Sequence, residues 1–124
     1  MNIEENKAIA RNYMQAIIDG DIDYIESIQH PDCQWWILGG GTLDKATFTQ
    51  MSKQGLLTAN ERKVEILMLT AEADRVSVVA EGEMHFDDHV YKNSYHNLLT
   101  IRDGKIVAGR EYMDTQAVAE FFGK

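Results

Sequence analysis

The sequence has 124 residues, a length that suits one domain with a substantial hydrophobic core. Hydrophobic residues make up 44% of it and charged residues 26%, which excludes a disordered chain. A formal net charge of −8 disfavours nucleic acid and anionic membrane surfaces as partners. No apolar run is long enough to span a membrane, and the single cysteine, Cys33, excludes an internal disulfide. We therefore expect a soluble, cytoplasmic protein.

The first part of the chain has the spacing of helices. Apolar residues at near-helical intervals predict a helix over residues 3–19, which Gly20 ends. Asp21 is a natural N-cap for a second, shorter helix, and Pro31 ends that one. Residues 33–38 form an apolar and aromatic run that predicts a strand.

A glycine run at residues 39–41 separates this strand from a third helix, which Thr42 or Asp44 caps and which extends to about Gln54. The period then changes to two and predicts four strands, over residues 64–69, 75–83, 91–101 and 106–114. Asp103 and Gly104 mark the hairpin turn between the last two strands. Thr115 begins a short terminal helix.

This order of elements predicts an α+β fold in a single domain, residues 1–124. Helices early in the chain and antiparallel strands late in it favour a curved sheet wrapped around the helices. The inner face of such a sheet encloses a cavity, and we expect the functional site there. Strand parity places the odd residues of 91–101 inward, because that set carries no charge. In the last strand we take Tyr112 and Asp114 as inward.

Four segments carry a resemblance to a known family: residues 32–39 (DCQWWILG), 91–95 (YKNSY), 103–106 (DGKI) and 110–114 (REYMD). In this order and spacing the chain resembles the nuclear-transport-factor-2-like (NTF2-like) superfamily, and within it the SnoaL-like group related to ketosteroid isomerases and polyketide cyclases. The resemblance covers nearly the whole chain. It implies an NTF2-like cone with an apolar pocket for a small hydrophobic ligand.

The resemblance also suggests a chemistry. In SnoaL-like cyclases and limonene-epoxide hydrolases an aspartate at the corresponding strand end acts as an acid/base or orients a water, and the matching residue here is Asp114. Burial in an apolar cavity would raise its pKa toward neutrality. The alternative is a carboxylate that caps the terminal helix. The chain lacks the first-strand acid of ketosteroid isomerases, and Val78 and Ala80 stand where epoxide hydrolases have an Arg-x-Asp pair.

Further polar and aromatic residues are candidates for substrate binding. Tyr91, Asn93, Tyr95 and Asn97 share one strand face and could hold a substrate carbonyl or a water, or form a satisfied structural network. Tyr112 joins this set by parity. The candidate substrate-binding residues also include the adjacent pair Trp35 and Trp36, which point to opposite faces, so that one lines the pocket and the other packs elsewhere.

We expect no cofactor and no metal. His85, Asp87 and His89 alternate along one strand edge as zinc ligands can, but an exposed hairpin turn with mixed polar residues is the interpretation that we favour. His96 has outward parity, and because members of the superfamily often dimerise through the outer sheet face, we expect a homodimer with His96 at the interface or surface. The favoured function is cofactor-free isomerase, cyclase or dehydratase chemistry on a small hydrophobic carbonyl compound. The alternative is a non-catalytic ligand-binding or dimerisation module.

Overall fold

The computed structural model describes residues 2–122. Two helices begin the chain, α1 (Ile3–Asp19) and α2 (Ile22–Ser27). The Asn2 side chain caps α1 by accepting from the Glu5 amide, and Gly20 ends the helix in a left-handed conformation with φ of 66°. The Asp21 side chain then accepts from the Tyr24 amide and starts α2, as the sequence predicts.

Six strands and two further helices follow within the described residues. They are β1 (Gln29–Ile37), β2 (Gly41–Asp44), α3 (Lys45–Thr58), β3 (Glu61–Glu72), β4 (Arg75–His85), β5 (Val90–Arg102), β6 (Lys105–Met113) and α4 (Thr115–Phe122). The short strand β2 was not predicted, since the glycine run reads as a turn. Asp44, at its end, caps α3 by accepting from the Thr47 amide.

The strands form one curved sheet in the order β2-β1-β6-β5-β4-β3. All neighbours are antiparallel except β1 and β6, which run parallel. Helix α1 packs on β3 and β4, while α3 packs on β1, so the helices cover the inner face of the sheet. This is the predicted α+β cone, and its hydrophobic core lies between the sheet and the helices.

Trp35 is at the centre of the core. Its ring is 1% exposed and stacks on Phe48, with ring centroids 4.0 Å apart and an angle of 6° between the planes. Its indole N–H donates to Gln29 Oε1 at 2.9 Å, so the buried polar atom is satisfied. Trp35 faces Gly109 across the β1–β6 pair, and the absence of a side chain there makes room for the ring.

Candidate functional site

The inner face of the sheet and helices α1 and α3 surround a cavity of about 250 Å³. A cavity of roughly 150 Å³ holds benzene, so this one has room for a small organic molecule. Its wall is mostly apolar, with side chains from both helices and four strands: Met14, Ile17, Ile37, Leu43, Phe48, Met51, Leu56, Val64 and Met84.

Glu111 brings a carboxylate into this apolar space. It lies on β6 directly opposite Asn97 of β5, and both residues line the cavity. Within residues 2–122 its side chain forms no hydrogen bond and no ion pair. Burial without such a partner raises the pKa of the Glu111 carboxyl to about 7. Glu111 can therefore exchange a proton near neutral pH.

A second carboxylate, Glu83, lies at the rim of the cavity in a different environment. It accepts from His85 Nε2 at 3.0 Å and lies 3.3 Å from Lys92 Nζ and 3.9 Å from Lys63 Nζ. The hydrogen bond from His85, followed by that from Lys92, lowers the pKa of Glu83. Glu83 therefore stays ionised, whereas Glu111 is poised to titrate.

Asn97 is the polar neighbour of Glu111. Its side chain is 4% exposed, and its Oδ1 atom has no hydrogen-bond partner among the described residues. Its other ladder neighbour is Val78 of β4, which is fully buried and apolar. An amide held between an apolar residue and a carboxyl group is a polar feature that the core packing does not require.

Three tyrosines complete the polar lining. Asn93 Nδ2 donates to the Tyr91 hydroxyl at 2.7 Å, and the Tyr95 hydroxyl donates to it at 3.5 Å. Burial raises the pKa of Tyr95 and, on α1, that of Tyr13, to which Glu111 adds a further electrostatic increase. The hydroxyls of Tyr13 and Tyr95 therefore remain protonated at neutral pH and can serve as hydrogen-bond donors.

Comparisons with known proteins agree with this architecture. Residues 10–109 match the SnoaL-like domain family. The chain belongs to the SnoaL-like family. A search of curated proteins found no match.

Solved structures share the fold of this SnoaL-like domain at low sequence identity. AclR, a putative hydroxylase from Streptomyces galilaeus, has a TM-score of 0.85 and 18% identity, with 98% of each chain covered. BvnE pinacolase from Penicillium brevicompactum has a TM-score of 0.87 and 15% identity over 96% of this chain and 89% of its own. TerC, co-crystallised with polyporic acid, has a TM-score of 0.79 and 23% identity over 97% of this chain and 99% of its own. These likenesses show the fold.

The structure brings some of the sequence-predicted binding residues together. Tyr91, Tyr95 and Asn97 line the cavity of the SnoaL-like domain, as the parity of β5 predicts. Asn93 also faces inward, but it lies behind Tyr91 and bonds to the backbone of Asp114. Trp35 is a core residue stacked on Tyr13 and Phe48, and Trp36 lies on the outer face, so neither tryptophan lines the cavity, contrary to the prediction for one of them.

The inward orientation predicted for Tyr112 and Asp114 is wrong. The β5–β6 pairing shifts after Ile101↔Ile106 to Thr100↔Ala108, which leaves Val107 as an extra residue. This bulge reverses the parity of the rest of β6, because side chains alternate along a strand. It therefore turns Glu111 inward and Tyr112 outward.

Asp114 and Tyr112 have other surroundings. The exposed Asp114 carboxylate accepts from the amides of Gln116 at 2.9 Å and Ala117 at 3.4 Å, so it caps α4, the alternative that the sequence left open. Tyr112 lies on the outer face, where its ring centroid is 5.3 Å from that of Trp36. Neither residue lines the cavity.

The histidines and the cysteine are not among the residues that line the cavity. Residues 2–122 contain no group of three or more His, Cys, Asp or Glu side chains placed to hold a metal ion. His96 faces outward, with its Nε2 2.5 Å from Ser77 Oγ, and His89 contacts Asp88. Burial raises the pKa of the Cys33 thiol to about 11, so it is not an activated nucleophile.

Sequence reasoning missed Glu111, which it grouped with the residues of the outer face. One signal in the sequence points to the bulge: Gly109 interrupts the β6 pattern, and an isolated glycine in a strand often marks a bulge or a close approach. No helix among the described residues has the length and apolar character to cross a membrane.

Proposed function

We propose that this SnoaL-like protein is a cofactor-free acid/base enzyme that acts on a small hydrophobic carbonyl compound, with Glu111 as the proton-transfer group. The observation that supports this proposal most is the lone Glu111 carboxyl in an apolar cavity, with its pKa raised to about 7. A general acid or base works best when its pKa lies near the working pH, because both protonation states are then populated.

The other polar groups suit proton transfer next to a carbonyl. Glu111 would remove a proton from the carbon beside the carbonyl and return it to another position, which leaves the proton count unchanged. The negative charge that develops on the carbonyl oxygen needs a hydrogen-bond donor. The Tyr13 hydroxyl, on the opposite wall, supports that role, since it lines the cavity and remains protonated.

The solved relatives support an enzyme rather than one particular reaction. Their names include a putative hydroxylase and a pinacolase, and one fold hosts many activities. The type of reaction proposed for this chain therefore depends on its own Glu111 and cavity.

Deuterium exchange would test the proposal before the natural substrate is identified. A panel of small aryl and alicyclic ketones is incubated with the protein in D2O, and NMR follows exchange of the protons beside each carbonyl. We expect exchange with the wild type and with Asp114→Asn, a matched carboxyl-to-amide change outside the cavity. Glu111→Gln should slow exchange by about 100-fold or more. Equal exchange by Glu111→Gln and wild type would refute the assignment.

A non-catalytic binding module is the second candidate. One observation supports it: Val78 and Ala80, near which the resemblance puts the Arg-x-Asp pair of the epoxide hydrolases, are buried core residues. In that case ketones would stabilise the wild type and Glu111→Gln equally in thermal unfolding, and neither would catalyse exchange.

A further inference from the structure

The side chains of Asn97 and Glu111 present an unusual combination inside the cavity. They are direct partners in the β5–β6 ladder and face the same side of the sheet. The Asn97 Oδ1 atom is buried and has no hydrogen-bond partner within the described residues. Buried polar atoms in native proteins nearly always have a partner, so this acceptor calls for a donor.

Two nearby donors in the cavity wall are engaged elsewhere. The Tyr95 hydroxyl donates to Tyr91. The guanidinium group of Arg62 donates to the backbone carbonyls of Ile18 and Leu56, at the ends of the two covering helices. Backbone groups beside Asn97 belong to the strand ladders.

Glu111 is the residue directly opposite Asn97 in the β5–β6 ladder. An ionised carboxylate only accepts hydrogen bonds, whereas the neutral carboxylic acid carries one O–H donor. A proton on Glu111 would therefore supply a donor for the unpaired Asn97 Oδ1 atom. The pairing accounts both for the amide in the apolar wall and for the carboxyl group without a cationic partner.

We propose that Glu111, in its neutral form, donates its acid proton to Asn97 Oδ1, and that Asn97 is a positioning residue that holds the site in its acid form. This inference deepens the proposed function, on which its catalytic meaning rests. In the proposed reaction a C–H bond beside the ligand carbonyl breaks and an O–H bond forms on the ionised carboxylate of Glu111. Asn97 Oδ1 would then accept from that O–H group until the proton returns to carbon.

The other titratable groups near Glu111 keep a constant charge around neutral pH. Tyr13 of α1, Tyr95 of β5 and Cys33 of β1 have raised pKa values and stay neutral, and Glu83 of β4 has a lowered pKa and stays ionised. The charged groups of β3 at the cavity are Arg62 and Lys63. His85 lies at the rim beside Glu83, and a Glu111→Gln background separates its contribution from that of Glu111.

Asn97→Leu tests the pairing, because its effect on stability should change sign with pH. At about pH 5.5 the neutral Glu111 donates to Asn97, so Asn97→Leu should lower the Tm by a few degrees. At about pH 8.5 Glu111 is ionised and cannot donate, which leaves the buried Asn97 Oδ1 atom unpaired, so the same substitution should raise the Tm. Asn97→Ala, measured in parallel, provides a second variant if the leucine does not fit.

The Glu111→Gln background is the matched control. The side-chain amide that this substitution introduces donates at every pH, so Asn97→Leu should lower the Tm at both pH values there. An effect of the same sign at both pH values in the wild-type background would overturn the proposal. A sign change that persists in the Glu111→Gln background would overturn it too, since another group would then be titrating.

The two proposals fail separately. A sign change in stability without deuterium exchange would establish the Asn97–Glu111 pair and reject the enzyme. Exchange that depends on Glu111 without the sign change would support the enzyme and reject the role of Asn97.

Discussion

The Asn93 side chain forms hydrogen bonds with both the backbone amide and the backbone carbonyl of Asp114. Its Nδ2 donates to the Asp114 carbonyl at 3.0 Å, and its Oδ1 accepts from the Asp114 amide at 2.9 Å. This double hydrogen bond fixes the end of β6 just before α4 begins. It leaves the Asp114 side chain directed along the first turn of that helix, away from the cavity.

Substitution of Asp114 should therefore affect stability and leave the cavity unchanged. Asp114→Ala removes the acceptor for the Gln116 amide and should cost about 1 kcal/mol, the usual effect of a lost N-cap. Asp114→Asn keeps an acceptor oxygen and should cost less. Urea denaturation measures both changes. Loss of ketone binding or deuterium exchange in either variant would contradict the placement of Asp114 outside the site.

Glu111 should make the protein less stable as the pH rises. Its folded-state pKa of about 7 is above the ordinary value of 4.5, so the folded state binds the proton more tightly than the unfolded state. Ionising Glu111 in the folded state therefore costs folding stability. This cost is absent below about pH 4.5, grows between pH 4.5 and the raised pKa of about 7, and is complete above it. Its upper limit is about 3 kcal/mol, from 1.36 kcal/mol per pKa unit.

Glu111→Gln should remove this penalty. The variant should be as stable as the wild type near pH 4.5 and more stable than the wild type at about pH 8.5. Denaturation midpoints measured across this range check the expectation, and Asp114→Asn is again the control with the same change of charge. Parallel pH profiles for wild type and Glu111→Gln would show that the Glu111 pKa is not raised.

We propose that a second copy of this chain binds the outer face of the sheet and forms the homodimer that the sequence predicts. The Arg110 guanidinium carbon lies 4.1 Å from the centroid of the Trp36 ring, and Arg110 Nε donates to the Tyr112 hydroxyl at 2.8 Å. These residues place two aromatic rings and one cation side by side on the outer face of the sheet. Aromatic residues and arginine are enriched at protein interfaces.

Arg110→Glu should convert the proposed dimer to a monomer, because it removes the cation from the Trp36 ring and introduces an opposite charge. Lys7→Glu on α1 makes the same charge change on the other side of the molecule and should leave the proposed dimer intact. Sedimentation velocity distinguishes the two states. A monomeric wild type at micromolar concentration would count against this interface.

The sequence allowed the fold to be predicted because its local signals agree with one another. Asp21 and Gly20 delimit the first two helices, and the uncharged odd positions of β5 face inward, as Tyr91, Asn93 and Asn97 show by their burial. These features depend on residues close together in the chain, where capping and alternation apply directly.

The site was harder to predict because it depends on one extra residue. The Asp103–Gly104 turn, with φ of 51° and 78°, pairs Arg102 with Lys105 as a two-residue hairpin should. Continued without interruption, that register would pair Asn97 with Arg110 and turn Tyr112 inward. The bulge at Val107 pairs Asn97 with Glu111 instead. Packing of Trp35 against Gly109 on the neighbouring strand favours this arrangement, and such a tertiary contact is not visible in local alternation.

Gly109→Ala should test how strongly that contact determines the fold. A Cβ at position 109 would lie 2.2 Å from Trp35 Cε3 and 2.3 Å from Cζ3, closer than real side chains approach. The Trp35 ring cannot move away easily, because Phe48 stacks on it with a centroid distance of 4.0 Å. We expect a loss of about 1–3 kcal/mol in the free energy of unfolding, the usual cost of overpacking a core.

Gly55→Ala is the control for the same chemical change. A Cβ at position 55 meets nothing within 4 Å, and alanine favours a helix over glycine by about 1 kcal/mol, so this variant should gain stability. Urea denaturation of the two variants and the wild type measures both effects. Equal stability of Gly109→Ala and wild type would contradict the conclusion that the close packing of Trp35 on Gly109 determines the position of β6.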